Sequence, residues 1–236
     1  MAADFSYARR RHATCTVRFG PSRAISRRRV PFVNPYANAP TLPEGDEIDP
    51  RTLFDDRASP IELEIGPGRG AFIIERLAAS PEVRMLGLEI RRKWAFVVDE
   101  RLRARGLGGR GRVLAEDARL ALPRLKTATV RATFIHFPDP WWKKRHQKRL
   151  VASVPLLEQI ARVVVPGGEL FFQTDVEERA EQFEQLVATV PLFVPVRQGP
   201  RVPENPYGAM STRERRAVAD GLPVVRLRYT RAGEPL

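Results

Sequence analysis

The stretch IELEIGPGRGAF, from Ile61 to Phe72, holds the turn that decides how the rest of the chain is read. Ile61, Leu63 and Ile65 alternate with Glu62 and Glu64, the period of two that marks a β-strand. The pattern stops at Gly66. Gly66, Gly68 and Gly70 then lead into a run with helical spacing, in which Phe72, Ile73, Arg76 and Leu77 fall on nearby turns. Glycine here lets the backbone bend tightly and lets a ligand approach without a Cβ in the way. Dinucleotide enzymes use such a turn with the spacing G-x-G-x-x-G. This chain has E-x-G-x-G-x-G, with Glu64 inside the strand. A pyrophosphate would be repelled by that carboxylate. A cationic sulfonium with a free amino group would be attracted.

Outward from the turn, strand and helix patterns keep alternating. VRMLGLEI (83–90) reads as a second strand and KWAFVVDERLRARG (93–106) as a helix closed by Gly106. GRVLAEDA (111–118) and TVRATFIHF (129–137) read as the third and fourth strands. A helix over 149–164, a fifth strand over 167–175, a long helix over 176–190 and a late strand over 223–230 follow. Such alternation predicts βαβ units, hence an α/β fold with a mostly parallel sheet and helices on both faces. Glu89 ends the second strand, and Asp117 with Ala118 follows the third. In an open α/β sheet these positions, with Glu64, line one crevice at the carboxyl ends of the strands. Glu89 is placed to accept the hydroxyls of a ribose, and Asp117 to accept from an adenine amino group. Each acid alone also reads as an ordinary helix cap. Together they resemble the S-adenosylmethionine site of class I methyltransferases.

The tip of the fourth strand carries FPDPWWKKRHQKR (137–149). Pro138 and Pro140 stiffen the loop around Asp139. Trp141 and Trp142 can wall a crevice or stack on a base. Lys143, Lys144, Arg145, Lys148 and Arg149 can meet phosphates. An enzyme that docks an RNA base beside a sulfonium would need that mixture, although a core tryptophan and a solvated cationic helix face would also produce it.

FPDPWWKKRHQKRL and LEIGPGRGAF closely resemble the signature and the cofactor loop of the bacterial tRNA (guanine-N7)-methyltransferases, and the likeness extends over roughly residues 61 to 231. The resemblance implies a Rossmann-like class I fold with a seven-stranded sheet. It implies methyl transfer from S-adenosylmethionine to N7 of a guanosine in tRNA, at position 46 of the variable loop. By that pattern Glu64, Gly66, Gly68, Gly70, Glu89, Asp117, Ala118 and Asp139 hold the cofactor, and Asp139 is also the catalytic residue. Lys143, Asp175, Ser211, Thr212, Arg213 and Glu214 contact the guanine, and Lys144, Arg145, Lys148 and Arg149 the RNA backbone. Two departures stand out. The family's Thr-x-aromatic-Glu motif appears here as STRE (211–214), with Arg213 in place of the aromatic, which puts that loop's packing in question. His136 stands where asparagine is common and is expected to be a structural substitution.

Composition agrees with an anionic partner. The 236 residues carry a formal charge of +12, and residues 1–30 hold eight arginines against one acid, Asp4. Neutralising phosphates releases counterions, so such a chain favours nucleic acid. Residues 1–50 are expected to form a flexible basic arm with an irregular lead-in, and 51–236 the catalytic domain. The single cysteine, Cys15, excludes a disulfide within the chain, and with three scattered histidines it builds no zinc site. With no apolar run long enough to span a membrane and no signal-peptide pattern, a cytoplasmic protein without metal is expected, as monomer or homodimer. Other readings remain: an amino-methyltransferase acting on adenine or cytosine of RNA or DNA, a non-catalytic RNA-binding protein with a methyltransferase-like fold, and a nicotinamide-dependent dehydrogenase, disfavoured by the loop spacing.

Overall fold

The computed structural model describes residues 34–58, 60–138 and 153–233. Seven strands form one sheet: β1 (Ile61–Ile65), β2 (Arg84–Leu88), β3 (Gly111–Leu114), β4 (Val130–His136), β5 (Val164–Thr174), β6 (Phe193–Pro195) and β7 (Val225–Arg231). Their order across it is β3-β2-β1-β4-β5-β7-β6. β1 to β5 pair in parallel, and β7 runs antiparallel to both β5 and β6. Between them lie α1 (Ala71–Ala79), α2 (Arg92–Ala104), α3 (Ala118–Ala121), α4 (Val154–Val163), α5 (Glu177–Val187) and α6 (Thr212–Ala219). The expected seven-stranded, mostly parallel class I architecture is the one observed.

All five residues of β1 are buried, as a central parallel strand covered on both faces requires. Leu63 and Ile65 join the apolar layer that α4 and α5 complete with Leu157, Ile160 and Phe183. The opposite layer is built by Phe72, Ile73 and Leu77 of α1 with Val98 and Leu102 of α2, over Met85, Val113 and Phe134. Glu62 and Glu64 point into that second layer and need partners there. Glu62 is fully buried and receives Arg76 bidentately at 2.7 Å, with Arg131 from β4 closing on the same oxygen. Burial of an acid on this scale is stable only with such pairing.

Chain order reverses between β1 and β4, because β2 and β3 spread to one side and β4 onward to the other. Crevices in open α/β sheets form at this switch point. The compact unit begins at Pro35. Residues expected as irregular lead-in are fastened to it: Ala39, Leu42 and Ile48 are buried, and Ile48 bridges to Leu125. The basic residues 1–30 lie outside the described residues.

Candidate functional site

The switch point opens into two adjoining cavities. The larger, about 690 Å³, is lined by Gly66, Leu88, Glu89, Ile90, Asp117, Ala118, Arg119 and Pro138 among others. The smaller, about 170 Å³, is lined by Glu64, Gly68, Arg69, Phe72, Ser211, Thr212 and Arg213. Gly66, Arg91, His136 and Phe137 belong to both, so these residues form the passage between them.

The glycine loop owes its path to left-handed backbone at all three positions, φ +73°, +56° and +77° for Gly66, Gly68 and Gly70. Their roles differ. A Cβ on Gly66 would meet nothing within 4 Å, so its bareness serves the cavity. A Cβ on Gly70 would sit 2.3 Å from Val98 Cγ1, so its bareness serves the packing of the loop on α2.

Glu89 is 2% exposed and ties this loop to β2. Its Oε2 accepts from the Gly68 N–H at 2.9 Å, and its Oε1 from the Arg91 N–H at 2.9 Å and the Arg91 guanidinium at 3.1 Å. A carboxylate has roughly four lone-pair sites, which leaves acceptor capacity on the cavity side. Asp117 caps α3 and pairs with Arg119, whose guanidinium holds its carboxyl below the usual range although burial pushes the other way. It is thus both helix cap and cavity wall.

Glu64 and His136 face each other across β1 and β4. The imidazole Nδ1 lies 3.1 Å from Glu64 Oε1, while Glu64 Oε2 and His136 Nε2 are buried without hydrogen-bond partners among the described residues. His136 packs against Phe72 at 4.2 Å between ring centroids and lines both cavities. Its sequence signal was its place at the tip of β4, directly before the FPDPWW loop.

The STRE segment starts α6. Ser211 is the N-cap and accepts from the Glu214 N–H at 3.1 Å, a capping arrangement that S-x-x-E announces. Glu214 is fully buried, taking Gln173, Asn205 and Arg226 at 2.7 to 3.2 Å, and lines neither cavity. Ser211, Thr212 and Arg213 do line the smaller one. Arg213 replaces the expected aromatic by pairing with Asp175 at 2.8 Å and placing its guanidinium 5.9 Å from the Phe137 ring centre. Asp175 is therefore held at the rim rather than in the lining. Asp139, Lys143, Lys144, Arg145, Lys148 and Arg149 lie outside the described residues. Phe137 and Pro138, which lead into that loop, wall the larger cavity.

The arrangement suits S-adenosylmethionine. A cavity of about 690 Å³ falls within the roughly 300–1,000 Å³ of small-molecule sites. It offers a buried acceptor in Glu89 and, next door, a carboxylate oxygen on Glu64 that has no hydrogen-bond partner among the described residues. Among the described residues no His, Cys, Asp and Glu cluster could hold a metal ion, and no helix is long and apolar enough to cross a membrane.

Comparison with known proteins agrees. Residues 58–227 match the family model described as "Putative methyltransferase". The tRNA (guanine-N(7)-)-methyltransferase of Myxococcus xanthus is 37% identical over 72% of this chain and 83% of its own length. That of Anaeromyxobacter dehalogenans is 38% identical over 78% and 92%. Among solved structures, the 16S rRNA methyltransferase KamB superposes with a TM-score of 0.54 at 18% identity, covering 78% of this chain and 91% of that one. A geranyl diphosphate C-methyltransferase from Streptomyces coelicolor A3(2) gives 0.51 at 15%, covering 74% and 73%. These two share the fold. With relatives of this identity and coverage, the chain belongs to the tRNA (guanine-N(7)-)-methyltransferase family.

Proposed function

We propose that this protein methylates N7 of a guanosine in tRNA with S-adenosylmethionine as donor, and that the target is the variable-loop guanosine at position 46. The observation that carries the reading is the pair of cavities meeting at Gly66, Arg91, His136 and Phe137. One has the size and acceptors of a nucleoside site, and the other is rimmed by the α6 loop where a base can enter.

When bound, the donor supplies a methyl group on a cationic sulfur. Glu89 accepts from its ribose, and Asp117 with Ala118 borders its adenine. Glu64 offers Oε2 to its ammonium. Guanine N7 already carries an in-plane lone pair, so no general base has to create the nucleophile. The chain's task is positioning, which in oriented intramolecular reactions reaches effective molarities on the order of 10⁵ M or more. Asp139, between its two prolines, orients the reacting groups. Lys143 donates to guanine O6, where adenine presents an amino group. Ser211, Thr212 and Arg213 border the base, Asp175 reads its donor edge, and Glu214 holds their loop in place. Lys144, Arg145, Lys148 and Arg149 take the backbone phosphates.

The test is incubation with labelled donor and unmodified tRNA, followed by nucleoside analysis. 7-Methylguanosine is expected at the variable loop. Methyladenosine or methylcytosine instead would replace this reading with an amino-methyltransferase. Asp139→Ala is expected to lower the rate by far more than tenfold; a smaller loss, under about 1.4 kcal/mol, removes Asp139 from the reaction centre.

A further inference from the structure

A second feature begins at the smaller cavity and runs outward along the start of α2. Arg69, in the glycine loop, places its guanidinium 5.2 Å from the centre of the Trp94 ring. Lys93 sits between two rings, 5.6 Å from Trp94 and 5.9 Å from Tyr36. Arg101, two turns further along α2, donates to the Arg69 carbonyl at 3.2 Å, and Arg92 donates to Ala37. Arg69, Arg92, Lys93 and Arg101 are all exposed, and none has a carboxylate partner among the described residues. Arg76, Arg84, Arg91, Arg103 and Arg112, on the same elements or beside them, each hold an acid instead.

The patch also works against its own helix. Arg91, Arg92 and Lys93 open α2, whose first turn contains no acid and whose N-cap makes no side-chain bond. Cations at that end oppose the helix macrodipole. An anion on the outside reverses the sign of the interaction. The aromatic rings hold the cationic ends in place, which lowers the ordering cost of meeting a phosphate. Sequence continues the theme, since the stretch leading into Tyr36 holds eight arginines and one acid over residues 1–30. Arg69 lines the smaller cavity, so the patch begins where the target base would enter.

We propose that Arg69, Arg92, Lys93 and Arg101, braced by Trp94 and Tyr36, form a docking surface for the tRNA phosphate backbone. It spans the glycine loop and α2. The proposal rests on tRNA being the substrate. It assigns the surface that carries part of the salt-dependent affinity while leaving donor binding untouched.

The experiment compares Arg92→Gln/Lys93→Gln with a matched control, Arg57→Gln/Arg105→Gln. The control removes equal charge from exposed residues before β1 and after α2, at the other end of the strands. tRNA affinity is measured against salt, with donor affinity and methylation alongside. Each lost phosphate contact lowers the slope of log K against log salt by about 0.9. The patch variant is expected to lose nearly two from the slope, the control none, with donor affinity equal in all three. A patch variant on the wild-type slope, or an equal loss in the control, overturns the surface while wild-type methylation still stands. Wild-type protein that neither binds nor methylates tRNA overturns the substrate reading itself, and this surface with it. Should the double variant express poorly, Lys93→Gln decides the matter with a change of about one.

Discussion

His136 Nδ1 and Glu64 Oε1 lie 3.1 Å apart, a contact that joins the tips of two adjacent strands inside the protein. The contact holds the Glu64 carboxyl, and among the described residues Oε2 has no donor. His136→Leu strands the second oxygen as well, at a cost of about 1–3 kcal/mol. The donor dissociation constant should rise by about tenfold or more. His136→Asn restores an N–H on the same branch of the side chain and should recover most of both losses. Calorimetric titration and thermal melts check this. Equal donor affinity in wild type and His136→Leu would show that the histidine does not orient Glu64.

That pair also marks how far sequence reading reached. The strand–turn–helix of residues 61–79 and the switch-point crevice were legible because periodicity and glycine spacing are local. The partners of buried acids were not. IELEI alternates like a strand with one wet face, yet Glu62 is buried under Arg76 from the next helix and Arg131 from β4, contacts that local pattern cannot reveal. β6 has three residues, too few for a period, and α6 buries only Glu214 and Ala217, so it shows no apolar stripe. Read as a binding motif, STRE concealed a helix cap. Arg213 resolves the missing aromatic through charge: it reaches Phe137 and Asp175 together.

The glycine loop separates ligand effects from packing effects. Gly70→Ala drives a Cβ into Val98 in a left-handed backbone and should destabilise by about 2–4 kcal/mol, from overpacking plus the backbone penalty. Gly66→Ala meets no neighbour, so the backbone term of about 1–2 kcal/mol stands alone. Its Cβ enters the cavity wall, and donor affinity should fall by more than that stability loss predicts. Melts and titrations on the two variants should rank them in opposite orders. The same order in both assays would refute the division of labour.

Arg213 bridges the substrate side. Its ion pair with Asp175 is exposed, so Arg213→Ala should change stability by less than about 1 kcal/mol. Phe137, at φ +46°, sits in strained backbone beneath the guanidinium. Losing that cover should raise the KM for tRNA while donor affinity holds. Arg213→Tyr keeps a planar group over Phe137 but frees Asp175, and should lie between Ala and wild type. A shift in donor affinity with either variant would place Arg213 on the cofactor side.

Glu169, Tyr207 and Arg228 give the β5–β7 pair an acid sensitivity. Burial pushes the Glu169 carboxyl up, but hydrogen bonds from Arg228 and from the Tyr207 hydroxyl, both at 2.5 Å, more than offset it and hold the group below its ordinary value. A depressed carboxyl binds its proton less readily in the folded state than in the unfolded one. Its contribution is therefore fully present above the unfolded value of about 4.5 and is lost as pH falls through the lower folded value. Glu169→Gln removes the titration. Wild type should melt higher than the variant near neutral pH, and the gap should close below about pH 4.5. Melts at intervals between about pH 3 and 7 measure it. A gap that stays constant across that range would mean Glu169 contributes through packing alone.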